Sequence, residues 1–156
     1  MADTARRGRS ERGRGGRSDV ARTGRAARRL ALASVFEAEF GQRTAAAVLE
    51  RHLAEIEADP DMAAFARLLV AVVVDNRADI DALIERTAPQ YPVVQLARMD
   101  RALLRCGIGE VLHSATTPAR VAIAEWVDLA RTYSGDPARR LVNGVLGRIA
   151  SDRPGA

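Results

Sequence analysis

Residues Arg98 to Leu146 read RMDRALLRCGIGEVLHSATTPARVAIAEWVDLARTYSGDPARRLVNGVL, and this stretch decides the fold class. It carries three apolar patterns of helical period: Leu103, Leu104, Ile108, Val111 and Leu112; then Val121, Ile123, Val127, Leu129 and Ala130; then Leu141, Val142, Val145, Leu146 and Ile149. The breaks between them, Thr116-Thr117-Pro118 and Ser134-Gly135-Asp136-Pro137, each set a capping residue before a first-turn proline. Asn143-Gly144 has the chemistry of a hairpin turn, yet its flanks keep the helical period. Glycine inside a helix costs about 1 kcal/mol relative to alanine, so a close helix contact is expected at Gly144. Asp100, Arg101 and Arg105 are expected to project away from the apolar side of their helix. Trp126, the sole tryptophan, is expected to pack partly buried, with stacking on an unpaired base as the alternative.

Working towards the N-terminus, Pro89 and Pro92 bracket a loop, with a short helical turn expected over Val93 to Ala97. The segment from about Pro60 to Thr87 reads as one long helix or as two joined near Asn76 to Asp79. Its apolar residues include Met62, Phe65, Leu68, Leu69, Val72, Val73, Ile80, Leu83 and Ile84. Thr44 is placed to cap a helix through Ala58 that buries Val48, Leu49, Leu53 and Ile56, and Asp59 to cap the next. A first helix begins at Arg25 and ends at Gly41, with Leu30, Ala33, Phe36, Ala38 and Phe40 towards a core. The fold class is therefore all-α, with about seven helices.

Composition agrees. The chain has 156 residues, 47% of them hydrophobic and only 4% aromatic, enough for one domain or two small subdomains around an aliphatic core. All 24 basic residues are arginine, whose guanidinium grips phosphate bidentately and stacks on bases. The net charge of +4 conceals an asymmetry: residues 1–29 hold ten Arg against Asp3, Glu11 and Asp19 (+7), while residues 30–156 hold fourteen Arg against seventeen acids (−3). A cationic arm on a mildly acidic body points to a polyanionic partner, nucleic acid ahead of a membrane surface. Residues 1–24, rich in Arg and Gly, read as a disordered basic tail, either an RGG-like tether for RNA or a solubilising extension. Residues 151–156 form a short C-terminal tail.

A lone cysteine, Cys106, excludes an intrachain disulfide, and with only His52 and His113 beside it no zinc site is expected. Cys106 is expected to pack rather than react. The longest apolar run, Leu68 to Val74, is far short of a membrane span, and a cytoplasmic protein is expected.

Four segments, in order and at matching spacing, resemble the NusB family of bacterial transcription antitermination factors. Leu141-Val142-Asn143-Gly144-Val145-Leu146 resembles the family's Phe-Val-Asn-Gly-Val-Leu-Asp, and Pro118-x-x-Val121-Ala122-Ile123-x-Glu125 its Pro-x-x-Val-Ala-Ile-Asn-Glu. Met99 to Arg105 is similar to its apolar-acid-base-Ala-apolar-Leu-Arg segment, and Arg28-x-x-Ala31-x-x-x-Val35-Phe36 to its Arg-x-x-Ala-x-x-x-Leu-Tyr. The resemblance covers residues 25–150 and implies two packed three-helix subdomains, over about 25–87 and 93–150.

It also implies binding without catalysis, cofactor or metal. The implied ligand is the boxA element of ribosomal RNA leaders. The implied partners are the small-subunit ribosomal protein NusE and the RNA polymerase elongation complex with NusA and NusG, the chain itself being monomer or homodimer. The RNA surface so implied comprises Arg25, Arg28 and Arg29, then Asp100 and Arg101, then Arg139, Arg140 and Asn143. Arginines would neutralise phosphates while the carboxylate and amide read splayed bases. Leu141 stands where the family has an aromatic, Ala124 replaces its asparagine, Trp126 its small alanine and Gly147 its aspartate. Losing a stacking aromatic costs about 1–3 kcal/mol of RNA affinity.

Two other readings compete. The same helical domain occurs fused ahead of RNA cytosine methyltransferases, but this chain has no Rossmann glycine fingerprint, P-loop or catalytic-cysteine motif. The other is a nonspecific nucleic-acid binder that relies on its arginine tail.

Overall fold

The computed structural model describes residues 2–153, with side chains from Asp19 onward. Seven α-helices and one 3-10 turn follow in order: α1 (Ala2–Ala38), α2 (Ala45–Glu55), α3 (Pro60–Asp75), α4 (Arg77–Thr87), the turn Val93–Gln95, α5 (Arg98–His113), α6 (Ala119–Ser134) and α7 (Asp136–Ser151). No strand occurs among the described residues, and none of their helices is long and apolar enough to cross a membrane. The segment that could have been one helix or two is two, α3 and α4, meeting at Asn76. Asn76 Nδ2 donates to the Val72 carbonyl at 2.8 Å, the same oxygen that accepts the Asn76 backbone N–H at 3.1 Å, so one residue closes the end of α3 through both its backbone and its side chain.

The architecture is organised by α5. Every residue from Ala102 to Val111 is buried, so this helix is enclosed on all sides. It packs against α1, α3, α4, α6 and α7, while α1 also rests on α2 and α3. One continuous aliphatic core runs from Ala27 to Ile149. Two glycines permit the close approach. A Cβ at Gly107 would lie 2.9 Å from Leu146 Cδ1 and 3.4 Å from Trp126 Cγ, and one at Gly109 would lie 3.1 Å from Val72 Cγ1. Side chains buried there, such as Leu104, Ile108 and Leu146, each contribute about 1.5–3 kcal/mol relative to exposure.

Several ends form as their residues dictate. Thr44 Oγ1 accepts from the Ala47 amide at 3.1 Å and Asp59 Oδ2 from the Met62 amide at 3.2 Å, with Pro60 opening α3. Gly41, at φ +76°, ends the α1 segment. The two downstream caps differ from expectation. Thr117 holds the turn rather than the helix, its hydroxyl accepting from Ser114 Oγ, and Pro118 precedes α6 with no side-chain cap. Ser134 remains inside α6, and Gly135 at φ +97° makes the reversal into α7.

Other expectations are corrected by burial. The core face of α1 is Ala27, Ala31, Leu32 and Val35; Leu30, Phe36 and Ala38 are partly buried, and Phe40 is 53% exposed. Ile56, Leu68 and Val121 are likewise exposed. Gly144 has nothing within 4 Å of a Cβ position, so no close contact compensates it. Arg105 faces inward, because α5 has no outward side at that level. Helix α1 begins well before Arg25, which puts Arg25, Arg28 and Arg29 in its middle rather than on its first turns. The disordered tail expected over residues 1–24 falls mostly on side chains outside those described. At the other end, Arg153 turns back and donates from Nη1 to the Val111 carbonyl at 2.6 Å, while residues 154–156 lie outside the described chain.

Candidate nucleic-acid interface

An enclosed α5 forces its charged residues to find partners indoors, and this determines which arginines remain for a ligand. Glu110 is 1% exposed and Arg28 5% exposed. Arg28 Nε donates to Glu110 Oε1 at 2.8 Å and Nη2 to Oε2 at 2.6 Å, a bidentate pair joining α1 to α5. Trp126 Nε1 donates to the same Oε1 at 2.8 Å. Arg28 is therefore a core residue and is withdrawn from the surface expected of it. Trp126 is fully buried, which removes its stacking alternative.

A second network holds Arg105 and Arg101. Arg105 donates to both oxygens of Asp81, at 2.9 and 3.0 Å, and to Glu39 Oε1. Burial alone would lower the pKa of Arg105, but the hydrogen bond and charge of Asp81 and the charge of Glu39 raise it, so the guanidinium stays protonated. Arg101 Nη2 donates to Glu39 Oε2 at 2.9 Å, and its Nη1 lies 3.2–3.3 Å from the carbonyls of Val93, Val94 and Leu96. Arg101 thus clamps the 3-10 segment against α5, and its guanidinium is already committed.

The remaining expected residues are accessible. Along the seam between α1 and α6, Arg25 Nη1 lies 4.0 Å from Glu125, and Arg29 is exposed further along. Beyond Arg29 the seam opens into a groove of about 350 Å³ lined by Arg29, Phe36, Phe40, His52, Met99 and Tyr133, among others. Asp100, next to Met99, accepts from Ser134 Oγ at 2.5 Å, tying the start of α5 to the end of α6. Past the Gly135 reversal, Asp136 sits between Arg139 (3.0 Å) and Arg140 (3.5 Å). The Arg139 hydrogen bond, then its charge, holds the Asp136 carboxyl below the usual carboxylate range, so one anion offsets two cations, Arg139 partly buried and Arg140 exposed. Asn143 is exposed on the following turn of α7.

The groove contains rings that sequence reading assigned to the core or passed over. Tyr133 is 48% exposed and Phe40 stands edge-on to Phe36, with ring centroids 5.4 Å apart. The Arg98 guanidinium lies over the Phe40 ring at 4.7 Å. His52 Nε2 is buried without a hydrogen-bond partner, 3.4 Å from Glu37 Oε2 but not in line with it. Two signals were available: Phe40 directly precedes the Gly41 stop, and Tyr133 lies in the last turn of α6, two residues before Gly135.

Cations, a carboxylate and aromatic rings thus gather at one seam of an all-helical body. The chain belongs to the NusB family, whose model matches residues 25–151 and whose similar relatives are transcription antitermination proteins. It is 39% identical to the transcription antitermination protein NusB of Symbiobacterium thermophilum over 140 residues, covering 85% of this chain and 92% of that protein. It is 37% identical to the NusB of Kineococcus radiotolerans over 126 residues, covering 81% and 91%. Its fold is similar to that of T. maritima NusB, with a TM-score of 0.78 and 29% identity over 83% of this chain and 92% of that one. It is also similar to a chain in a crystal structure of antitermination factors NusB and NusE with double-stranded RNA. That match has a TM-score of 0.75 and 25% identity, covering 85% and 98%.

Proposed function

We propose that this chain binds the boxA element of nascent ribosomal RNA together with ribosomal protein NusE. In the cytoplasm it joins the RNA polymerase elongation complex with NusA and NusG, prevents premature termination and aids ribosomal RNA synthesis. The observation that carries this reading is the α1–α6 seam, where Arg25, Arg29, Asp100 and the Phe40–Tyr133 groove are accessible together. Arg139, Arg140 and Asn143 extend it on α7. Arg28 and Arg101 act as positioning residues, the first fixing α1 to α5 and the second fixing the start of α5. Phosphate contacts from the exposed arginines orient the strand, while Asp100 and Asn143 read base edges. Tyr133 supplies the stacking surface that Leu141 lacks.

Fluorescence anisotropy with a boxA-like oligonucleotide and a scrambled one, with and without NusE, tests this reading. A preference for boxA that NusE tightens, and that survives deletion of residues 1–24, supports it. The strong charge asymmetry favours one competitor, a nonspecific binder acting through its tail. Loss of nearly all affinity on that deletion, with no boxA preference, would establish the competitor instead.

A further inference from the structure

On another part of the surface, the α1–α2 loop and the α3–α4 junction enclose a groove of about 370 Å³, lined by Val35, Ala38, Ala45, Val73 and Val74 with Arg43, Thr44 and Arg77. Glu39 and Arg105 also border it, but both are satisfied within the Glu39–Arg101–Arg105–Asp81 network, two cations against two anions. Arg43 and Arg77 are different. Both are exposed, and among the described residues neither forms an ion pair, although Asp75 and Asp79 lie close to Arg77 in sequence. Each also stands at the unfavourable end of a helix: Arg43 just before the Thr44 cap of α2, and Arg77 on the first turn of α4.

Between these cations the floor is aliphatic and its edge is open, Val74 being 54% exposed. Leu68 and Ala71, both exposed, continue an apolar strip along α3 away from the groove. We propose that this groove docks an acidic, amphipathic segment of a protein partner, with an apolar side chain seated against Val74 and carboxylates on Arg43 and Arg77. The charge surplus calls for an anion, and the aliphatic floor calls for an apolar anchor beside it. No aromatic ring lines the groove, so a nucleic acid would find charge there but no stacking surface. The site is remote in composition from the α1–α6 seam and does not depend on the RNA reading.

The test is an amide-shift titration of the full chain at low salt with a synthetic helical peptide of Glu and Leu. A same-charge peptide with Ser for Leu and a single-stranded oligonucleotide serve as comparators. Saturable binding of the Glu/Leu peptide that shifts Arg43, Thr44, Val74 and Arg77 is expected, weakened roughly tenfold by R43E/R77E and several-fold by V74S. Circular dichroism checks that the variants fold, and oligonucleotide affinity should be unchanged in V74S. The proposal fails if the peptide does not bind, if its shifts map elsewhere, or if the variants leave binding intact. It also fails if the Glu/Ser peptide or the oligonucleotide occupies the groove equally well, which would make it a simple anion site.

Discussion

The indole nitrogen of Trp126 donates to Glu110 Oε1 at 2.8 Å, on the oxygen that also accepts from Arg28 Nε. One buried carboxylate thereby ties α1, α5 and α6 together. Replacing Glu110 by Gln leaves Arg28 uncompensated in the core and is expected to cost about 3–5 kcal/mol, measured by urea denaturation. Pairing that change with Arg28→Met should recover part of the loss, because the stranded charge goes with it. A single-variant cost below about 1 kcal/mol would contradict this account.

Two glycines should respond oppositely to alanine. Gly107→Ala drives a methyl into Leu146 and Trp126 and is expected to destabilise by about 1–3 kcal/mol. Gly144→Ala meets open space inside a helix and should stabilise by up to about 1 kcal/mol. Thermal midpoints moving in the same direction would refute the packing assigned to one of them.

Cys106 is fully buried; burial first, and the Glu110 charge next, push its thiol well above the usual range. It should resist a thiol reagent in the native protein and react at the rate of unfolding as urea is added. Rapid labelling without denaturant would be incompatible with this environment.

Acid should loosen the second network. Burial pushes the Glu39 carboxyl up, but the Arg101 hydrogen bond and the charges of Arg105 and Arg101 outweigh it, leaving the folded pKa below the usual value. The resulting stability is fully present above the unfolded pKa of about 4.3 and is lost as pH falls through the folded one. Glu39→Gln should therefore be less stable than the parent at neutral pH, with a flatter urea midpoint between about pH 5 and 3. Parallel pH profiles would exclude Glu39 as the titrating group.

For the seam, Tyr133→Ala should weaken RNA binding by about 1–3 kcal/mol while leaving the salt slope unchanged, as befits a stacking contact. Arg29→Ala should instead reduce that slope by about 0.7, the value for one phosphate contact on a single strand. Anisotropy titrations across salt concentrations separate the two effects. Interchanged signatures would invalidate the roles assigned here.

Helix number and most breaks could be read from apolar period and from Thr44, Asp59 and Pro60, because those signals are local. The rotation of α1 could not: its apolar residues occupy more than one face, and only packing against α5 shows that Val35 is buried while Phe40 is not. The fate of the arginines was hidden for the same reason. Arg28 and Arg29 are neighbours of identical chemistry, yet one faces Glu110, 82 residues away, and the other faces solvent. Arg101 and Arg105 likewise look like surface charges until Glu39 and Asp81 are brought beside them. What was legible was the supply of cations; which of them are already spent is a tertiary fact.

The chain's single tryptophan lies wholly in the core, held to a carboxylate and absent from the lining of the Phe40–Tyr133 groove. Its emission is thus a built-in reporter of whether the body is folded. Tyr133 stands at the groove while Tyr91, the other tyrosine, does not line it, so in a Tyr91→Phe background the remaining tyrosine reports the complementary event and one unlabelled sample carries separate optical readouts of folding and occupancy.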